Sequence, residues 1–276
     1  MRSALRVYSF TFAFLLCVVP AVVCQSPVER PPRTPFPEGR RLPEPRRTAI
    51  RRDAWVNEYR FNSEEKRLLA ASLSDQQRFA SFLQQPDTGL IRLHRWGRRH
   101  RVVSVDELED GRRPDFSLHA SLYSFSKSKH GNGLNGFVDP RLGWAELKFG
   151  DGKFFTGFTG ESLGVLVALG DVPLDVVTPQ MAGVVGLANI IPPADYLEAS
   201  ALSRRNRAGF EMDRFSYGSS LPAVSNTTYV LRSTSNRRAD LLIGFRVTRV
   251  EADGSATILW RKLRNYPKPK WKRRSD

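Results

Sequence analysis

Apolar residues recur along this chain in two rhythms, and the change comes near residue 89. From 63 to 86 the spacing is helical. Ser63-Glu64-Glu65 opens a first helix with acids in its first turn, where the helix dipole favours them, and Leu69 and Leu73 share a face. Ser74 followed by Gln77 has the capping-box pattern, which predicts that a second helix restarts there. Phe79, Phe82 and Leu83 give its apolar side, and Pro86 closes it. These aromatics are assigned to the core.

From Gly89 the alternation has a period of two, the mark of strands. Ile91 and Leu93 alternate with Arg92 and His94, residues 96–99 read as a turn, and Val103 and Val105 resume the pattern. The basic run 95–101 is expected to pair across this hairpin with Asp106, Glu107, Glu109 and Asp110. Phe116, Leu118, Ala120 and Leu122 are expected on one face of a strand. Ala145, Leu147 and Phe149 lead through Gly150-Asp151-Gly152 into Phe154, a second hairpin. The run 163–169 fits either a strand or a buried helix. Pro192-Pro193 ahead of Tyr196, Leu197 and Ala201 predicts a short helix.

The clearest pattern comes last. Thr228–Ser233, then Leu241, Ile243, Phe245 and Val247, then Ala256, Ile258 and Trp260 after an Asp253-Gly254 turn, predict a three-stranded antiparallel meander. No internal repeat is visible. The fold class expected is α+β, predominantly antiparallel β, with N-terminal helices, then hairpins, ending in the meander. It would occupy residues 56–263 as one globular domain or two subdomains, a choice the pattern leaves open.

The first 24 residues follow neither rhythm. Arg2 and Arg6 precede a stretch from Val7 to Cys24 without charge, apolar through Phe10, Phe12, Phe14, Leu15, Leu16, Val18 and Val19. Pro20 then breaks any helix ahead of a cut before Gln25, the layout of a secretory signal peptide. An uncleaved anchor would use the same residues, but the run is short for a span and Pro20 interrupts it. A lipid-modified Cys24 would have Val23, a poor neighbour, before it. The expectation is export, to the periplasm, the cell surface or the medium. Cys17 and Cys24 are the chain's two cysteines, so cleavage leaves no thiol for a disulfide, a thiolate metal site or a nucleophile.

Charge sharpens this picture by its position. The net charge is +15, yet residues 61–260 carry 24 basic against 22 acidic side chains. The excess lies at the ends: nine arginines against five acids in 25–60, and eight cations against Asp276 in 261–276. Residues 25–55 are rich in proline and arginine and are expected to form a disordered, semi-rigid spacer. Residues 264–276 read as a basic tail with Trp271 among the cations. Outside the cytoplasm such a tail meets acidic envelope polymers and lipid head groups, at about 1 kcal/mol per cation near an anionic membrane. Nucleic acid is the less fitting partner, and no membrane span is expected once the signal is removed.

Two patterns resemble catalytic or binding motifs. Gly160-Glu161-Ser162-Leu163-Gly164 matches the G-x-S-x-G of a nucleophile elbow. An elbow serine needs a base, and in α/β-hydrolases the histidine follows the serine, whereas all four histidines here precede Ser162; a His130, Asp139, Ser162 order is the one that can be drawn. A tight glycine turn is the plainer reading. Residues 131–138 match G-x-G-x-x-G-x-V, but Asp139-Pro140 follows where a dinucleotide site needs a helix. This stretch is expected to be a mobile loop with two Asn-Gly turns, beside Lys127, Lys129 and His130 as candidate contacts for an anion. The histidine spacing gives no metal site, and no cofactor is assigned. The function expected is a non-enzymatic exported module that binds an anionic envelope surface or polymer, or a partner protein. Its candidate ligand-binding residues are Lys127, Lys129, His130, Lys268, Lys270, Trp271 and Lys272. The alternative is an exported serine hydrolase using Ser162 and His130.

Overall fold

The computed structural model describes residues 61–96, 116–128, 133–138, 145–158 and 160–272. The signal segment, the proline-arginine spacer, Val103, Val105 and the acidic run 106–110, Lys129, His130, Asp139-Pro140 and residues 273–276 lie outside the described residues.

Three short helices open the described chain. Helix α1 (Ser63–Leu69) carries a full capping box: Asn62 accepts from the Glu65 amide at 2.8 Å, and the Glu65 carboxylate accepts from the Asn62 amide. Helix α2 (Leu73–Arg78) is capped by Ser72, which accepts from the Asp75 amide at 3.1 Å. The Ser74–Gln77 box is therefore corrected: the same chemistry begins two residues earlier. That restart changes the helical phase, so Leu69 is buried while Leu73 stands 75% exposed instead of sharing its face. Helix α3 (Ala80–Leu83) then sets half-buried Phe79, Phe82 and Leu83 against the core.

The strands form two antiparallel sheets. The larger has seven, in the order β1 (Thr88–Leu93), β11 (Ala256–Asn265), β10 (Ala239–Val250), β9 (Thr228–Ser235), β5 (Ser162–Gly170), β7 (Phe215–Gly218) and β6 (Phe210–Met212). The smaller has β2 (Leu122–Tyr123), β3 (Leu147–Gly150), β4 (Lys153–Phe155) and β8 (Ser220–Pro222). The fold is the expected α+β, mostly antiparallel, and β9, β10 and β11 are the expected meander. The β3–β4 hairpin turns through Asp151 and Gly152, both at positive φ, as a two-residue turn matched to strand twist requires.

One strand gains a partner the alternation did not show, and one expectation for a single element changes. Strand β1 pairs with β11 from Thr88↔Arg261 to Leu93↔Ala256, joining the two ends of the domain. Residues Phe116–Ala120 form a helix, α4, and only Leu122 and Tyr123 enter a strand. Phe116 and Ala120 are four apart, so the same apolar spacing also serves one helical turn. The Ser121 hydroxyl closes it by donating to the Leu118 carbonyl at 2.8 Å.

The large sheet is buried on both faces. Tyr229, Leu231, Ile243, Phe245, Ile258 and Trp260 meet Tyr123, Phe125, Phe149 and Phe154. These rings pack edge to face, as Phe154 does on Phe245 at 5.0 Å and 80°. On the opposite face, Val165, Val167, Val230 and Leu242 are covered by Leu174, Val184, Leu187 and, from the N-terminal helical stretch, Ala71, Phe79, Phe82 and Leu83. Helix α5 (Val185–Ala188) and helix α6 (Tyr196–Ala208) follow in the chain; Asp195 caps α6 by accepting from the amides of Leu197 and Glu198.

Residues 133–138 of the stretch expected to be a mobile glycine loop are packed. Gly133 has φ +72, and a Cβ on Gly136 would lie 2.3 Å from Tyr123 Cζ, so glycine is what lets this turn approach the ring. The Tyr123 hydroxyl lies 2.9 Å from the Gly133 carbonyl and from Ser128 Oγ. With one hydrogen it donates to the carbonyl and accepts from the serine.

The tail expectation is corrected as well. Trp271 is 2% exposed, packed with Leu163, Ala199 and Tyr196, and its amide donates to Asn236 Oδ1 at 2.9 Å. The Lys272 amide donates to the Ala194 carbonyl at 2.8 Å, and Asp195 and Lys272 form a parallel bridge. Residues 266–272 belong to the folded body because one indole contributes more by burial than by contact with a surface. No helix among the described residues is long and apolar enough to cross a membrane.

Candidate functional site: a basic cleft over a buried glutamate

Glu146 lies just before β3. Its amide donates to the Tyr123 carbonyl at 3.0 Å, and its own carbonyl accepts from Thr156 Oγ1 at 2.8 Å. Backbone fixed on both sides turns the side chain inward, where it is 3% exposed. The Ser126 hydroxyl donates to Glu146 Oε1 at 2.6 Å, and Ser124 Oγ stands 3.0 Å from Ser126 Oγ. Burial pushes the Glu146 carboxyl above the usual carboxylate range, and the hydrogen bonds from the serines partly offset this.

Over this carboxyl lies a cleft of about 260 Å³ lined by Ser126, Lys127, Ser235, Arg237, Arg238 and Lys268. Three separate parts of the chain supply its cations. Lys127 comes from the turn after β2. Arg237 and Arg238 form the tip of the β9–β10 hairpin, where Arg237 takes φ +60 and Ala239 pairs back to Ser235. Lys268 comes from the tail, which the Arg237 amide holds by donating to the Pro269 carbonyl at 2.7 Å. The buried Trp271 thus acts at a distance: it fixes the segment that carries Lys268.

Two residues singled out from the sequence, Lys127 and Lys268, meet here although 141 positions separate them in the chain. Lys270 and Lys272 are exposed and do not line the cleft. Lys129 and His130 lie outside the described residues. Sequence reasoning missed Glu146, Ser126, Arg237 and Arg238. The available signal was Asn236-Arg237-Arg238, a polar triplet between two strand patterns that must bring its cations to a hairpin tip.

The nucleophile elbow is not formed. Ser162 opens strand β5, is 7% exposed and pairs with Ser235, and a nine-residue strand follows where an elbow needs a helix. Gly164 is required for packing: a Cβ there would stand 2.0 Å from Thr156 Oγ1. His94 is spent on the fold, its Nε2 3.0 Å from the Leu68 carbonyl, and burial lowers its pKa. Among the described residues no group of three or more His, Cys, Asp or Glu side chains is placed to hold a metal ion.

The cleft sets cations on a rim above a carboxyl that burial shifts toward its protonated form, with Glu161 standing 3.9 Å from Arg238 as an opposing charge. No protein-family model matches the chain, and no curated protein or solved structure matches it either.

Proposed function

We propose that this is an exported, non-enzymatic binding protein whose cleft holds the acidic groups of an envelope polymer. The observation that carries the reading is the convergence of Lys127, Arg237, Arg238 and Lys268, from three segments, on one concavity. A neutral domain body that gathers four cations in one place focuses a positive potential there. The uncharged leader at residues 7–24 and the proline-arginine spacer support placement outside the cytoplasm, where acidic polysaccharides and lipid head groups are the abundant anions.

The test uses an oligogalacturonate as a defined acidic polymer. Its affinity for wild type is compared with that for Arg237→Asn/Lys268→Ser, asparagine being tolerant of the left-handed backbone at 237. The expected result is a loss of at least about tenfold and a weaker dependence of affinity on salt. Equal affinity in the two proteins, with both folded, contradicts the reading.

A further inference from the structure

A second cavity, of about 270 Å³, lies on the other side of β5 and β9 from the aromatic core. Its walls are mostly apolar, with Leu163 and Val165 of β5, Leu187 of α5, Leu202 of α6 and Met212 of β6, and Asn189, Asn206 and Thr234 among them. Arg232 of β9 lines it too, although it is 2% exposed. A guanidinium in an apolar wall needs acceptors, because burying its hydrogens without them is costly.

Only part of that need is met. Arg232 Nη2 donates to Asp240 Oδ2 at 2.9 Å, and Asp240 also accepts from Thr234 Oγ1 at 3.1 Å. The Tyr266 ring covers one face of the guanidinium at 3.3 Å from its centroid, while its own hydroxyl donates to the Ala188 carbonyl. Nε and Nη1 of Arg232 have no hydrogen-bond partner among the described residues. At the rim, exposed Arg205 lies over the Phe210 ring at 4.1 Å and adds a second cation. Ile191, next in the chain to the lining residue Ile190, is 84% exposed, an apolar side chain left beside the opening.

We propose that this cavity binds a small amphipathic carboxylate, with its hydrocarbon part between α6 and β5 and its head on the free donors of Arg232. Size favours a medium chain. A dry cavity of about 150 Å³ holds a benzene ring, so 270 Å³ has room for roughly ten heavy atoms, the size of octanoate. The polar base gives orientation and the apolar walls give affinity, the usual division of labour in a small-molecule site. Ordered water would satisfy the same two donors but would leave the apolar walls unexplained. The site is separate from the cleft over Glu146, since the two share no lining residue.

The test is a methyl-resolved NMR titration of the folded protein with octanoate, 1-octanol and acetate. Octanoate is expected to shift the methyls of Leu163, Val165, Leu187 and Leu202 and to bind at least tenfold more tightly than octanol, while acetate leaves them unmoved. Leu202→Trp, which fills the cavity from a half-buried position on α6, is expected to abolish these shifts. Octanoate that leaves the four residues unmoved overturns the proposal, as does octanol binding equally well. Should the tryptophan variant not fold, a chain-length series on wild type decides: affinity that rises to about eight carbons and then falls supports a cavity of this size, and a continuous rise with length overturns it.

Discussion

Two of the buried carboxylates among the described residues sit in opposite settings. Asp240 is held against a full positive charge, with Arg232 Nη2 at 2.9 Å, both side chains at most 2% exposed in an apolar layer. Glu146 is held by hydroxyls, with Ser126 at 2.6 Å, beneath a cleft whose cations stand on the rim. Burial raises both carboxyls, and for Asp240 the attraction of Arg232 works against it. The comparison separates two uses of a buried charge. The first site depends on the pair remaining intact. The second can lose its charge by taking up a proton without stranding a neighbour.

Removing one charge at each place should therefore give unequal results. Asp240→Asn strands a buried guanidinium and is expected to cost about 3–5 kcal/mol in denaturant unfolding. Replacing both partners, as Arg232→Met/Asp240→Leu, should recover most of that loss, because the desolvation of two charges goes with them. Glu146→Gln keeps an acceptor for Ser126 and leaves no cation buried, so a change within about 1 kcal/mol is expected. A larger loss in Glu146→Gln than in Asp240→Asn would invert the comparison.

Packing gives a smaller contrast. Leu202→Trp enters the open cavity and should alter stability by less than about 1 kcal/mol, whereas Ala256→Leu, on the aromatic face without such space, should cost about 1–3 kcal/mol. Thermal melts of the two variants check this.

The smallest effect is on pH. The folded Glu146 carboxyl titrates above its unfolded value, so the folded state binds its proton more tightly. Its contribution to stability is present at low pH and is lost as pH rises from the ordinary carboxylate range through the raised one. Over the same window the cleft gains a negative charge and should bind an acidic polymer less well. Glu146→Gln is expected to remove the binding slope and to reduce the stability slope to the part carried by Asp240, whose carboxyl burial also raises; a binding slope that persists in the variant would assign it to another group.

What could be read in the sequence was the alternation. It located the meander, the β3–β4 hairpin and the helices near 63–86, because side-chain period follows directly from backbone geometry. It did not show which polar faces are covered. Arg232 alternates with Leu231 and Ser233 as a solvent-facing residue would, and Glu146 sits between Ala145 and Leu147 in the same way. Both are buried because a second layer, formed from distant segments, closes over them. The cleft was half legible. Lys127 and Lys268 stood out as cations in basic segments, but the burial of Trp271 and the Arg237–Pro269 hydrogen bond bring the tail to the hairpin tip, and those contacts have no local signature. The same contact changes how the tail should be tested: deleting residues 264–276 would remove a core side chain, so substitutions at Arg237 and Lys268 are the cleaner probe.

Backbone amide NMR during titration with oligogalacturonate shows directly whether acidic polymers bind over Glu146. Binding there gives shifts concentrated at residues 126–127, 146, 235–238 and 268, saturating together at one affinity. Shifts that avoid these positions, or that spread over exposed cations such as Lys270 and Lys272 without saturating, would contradict it.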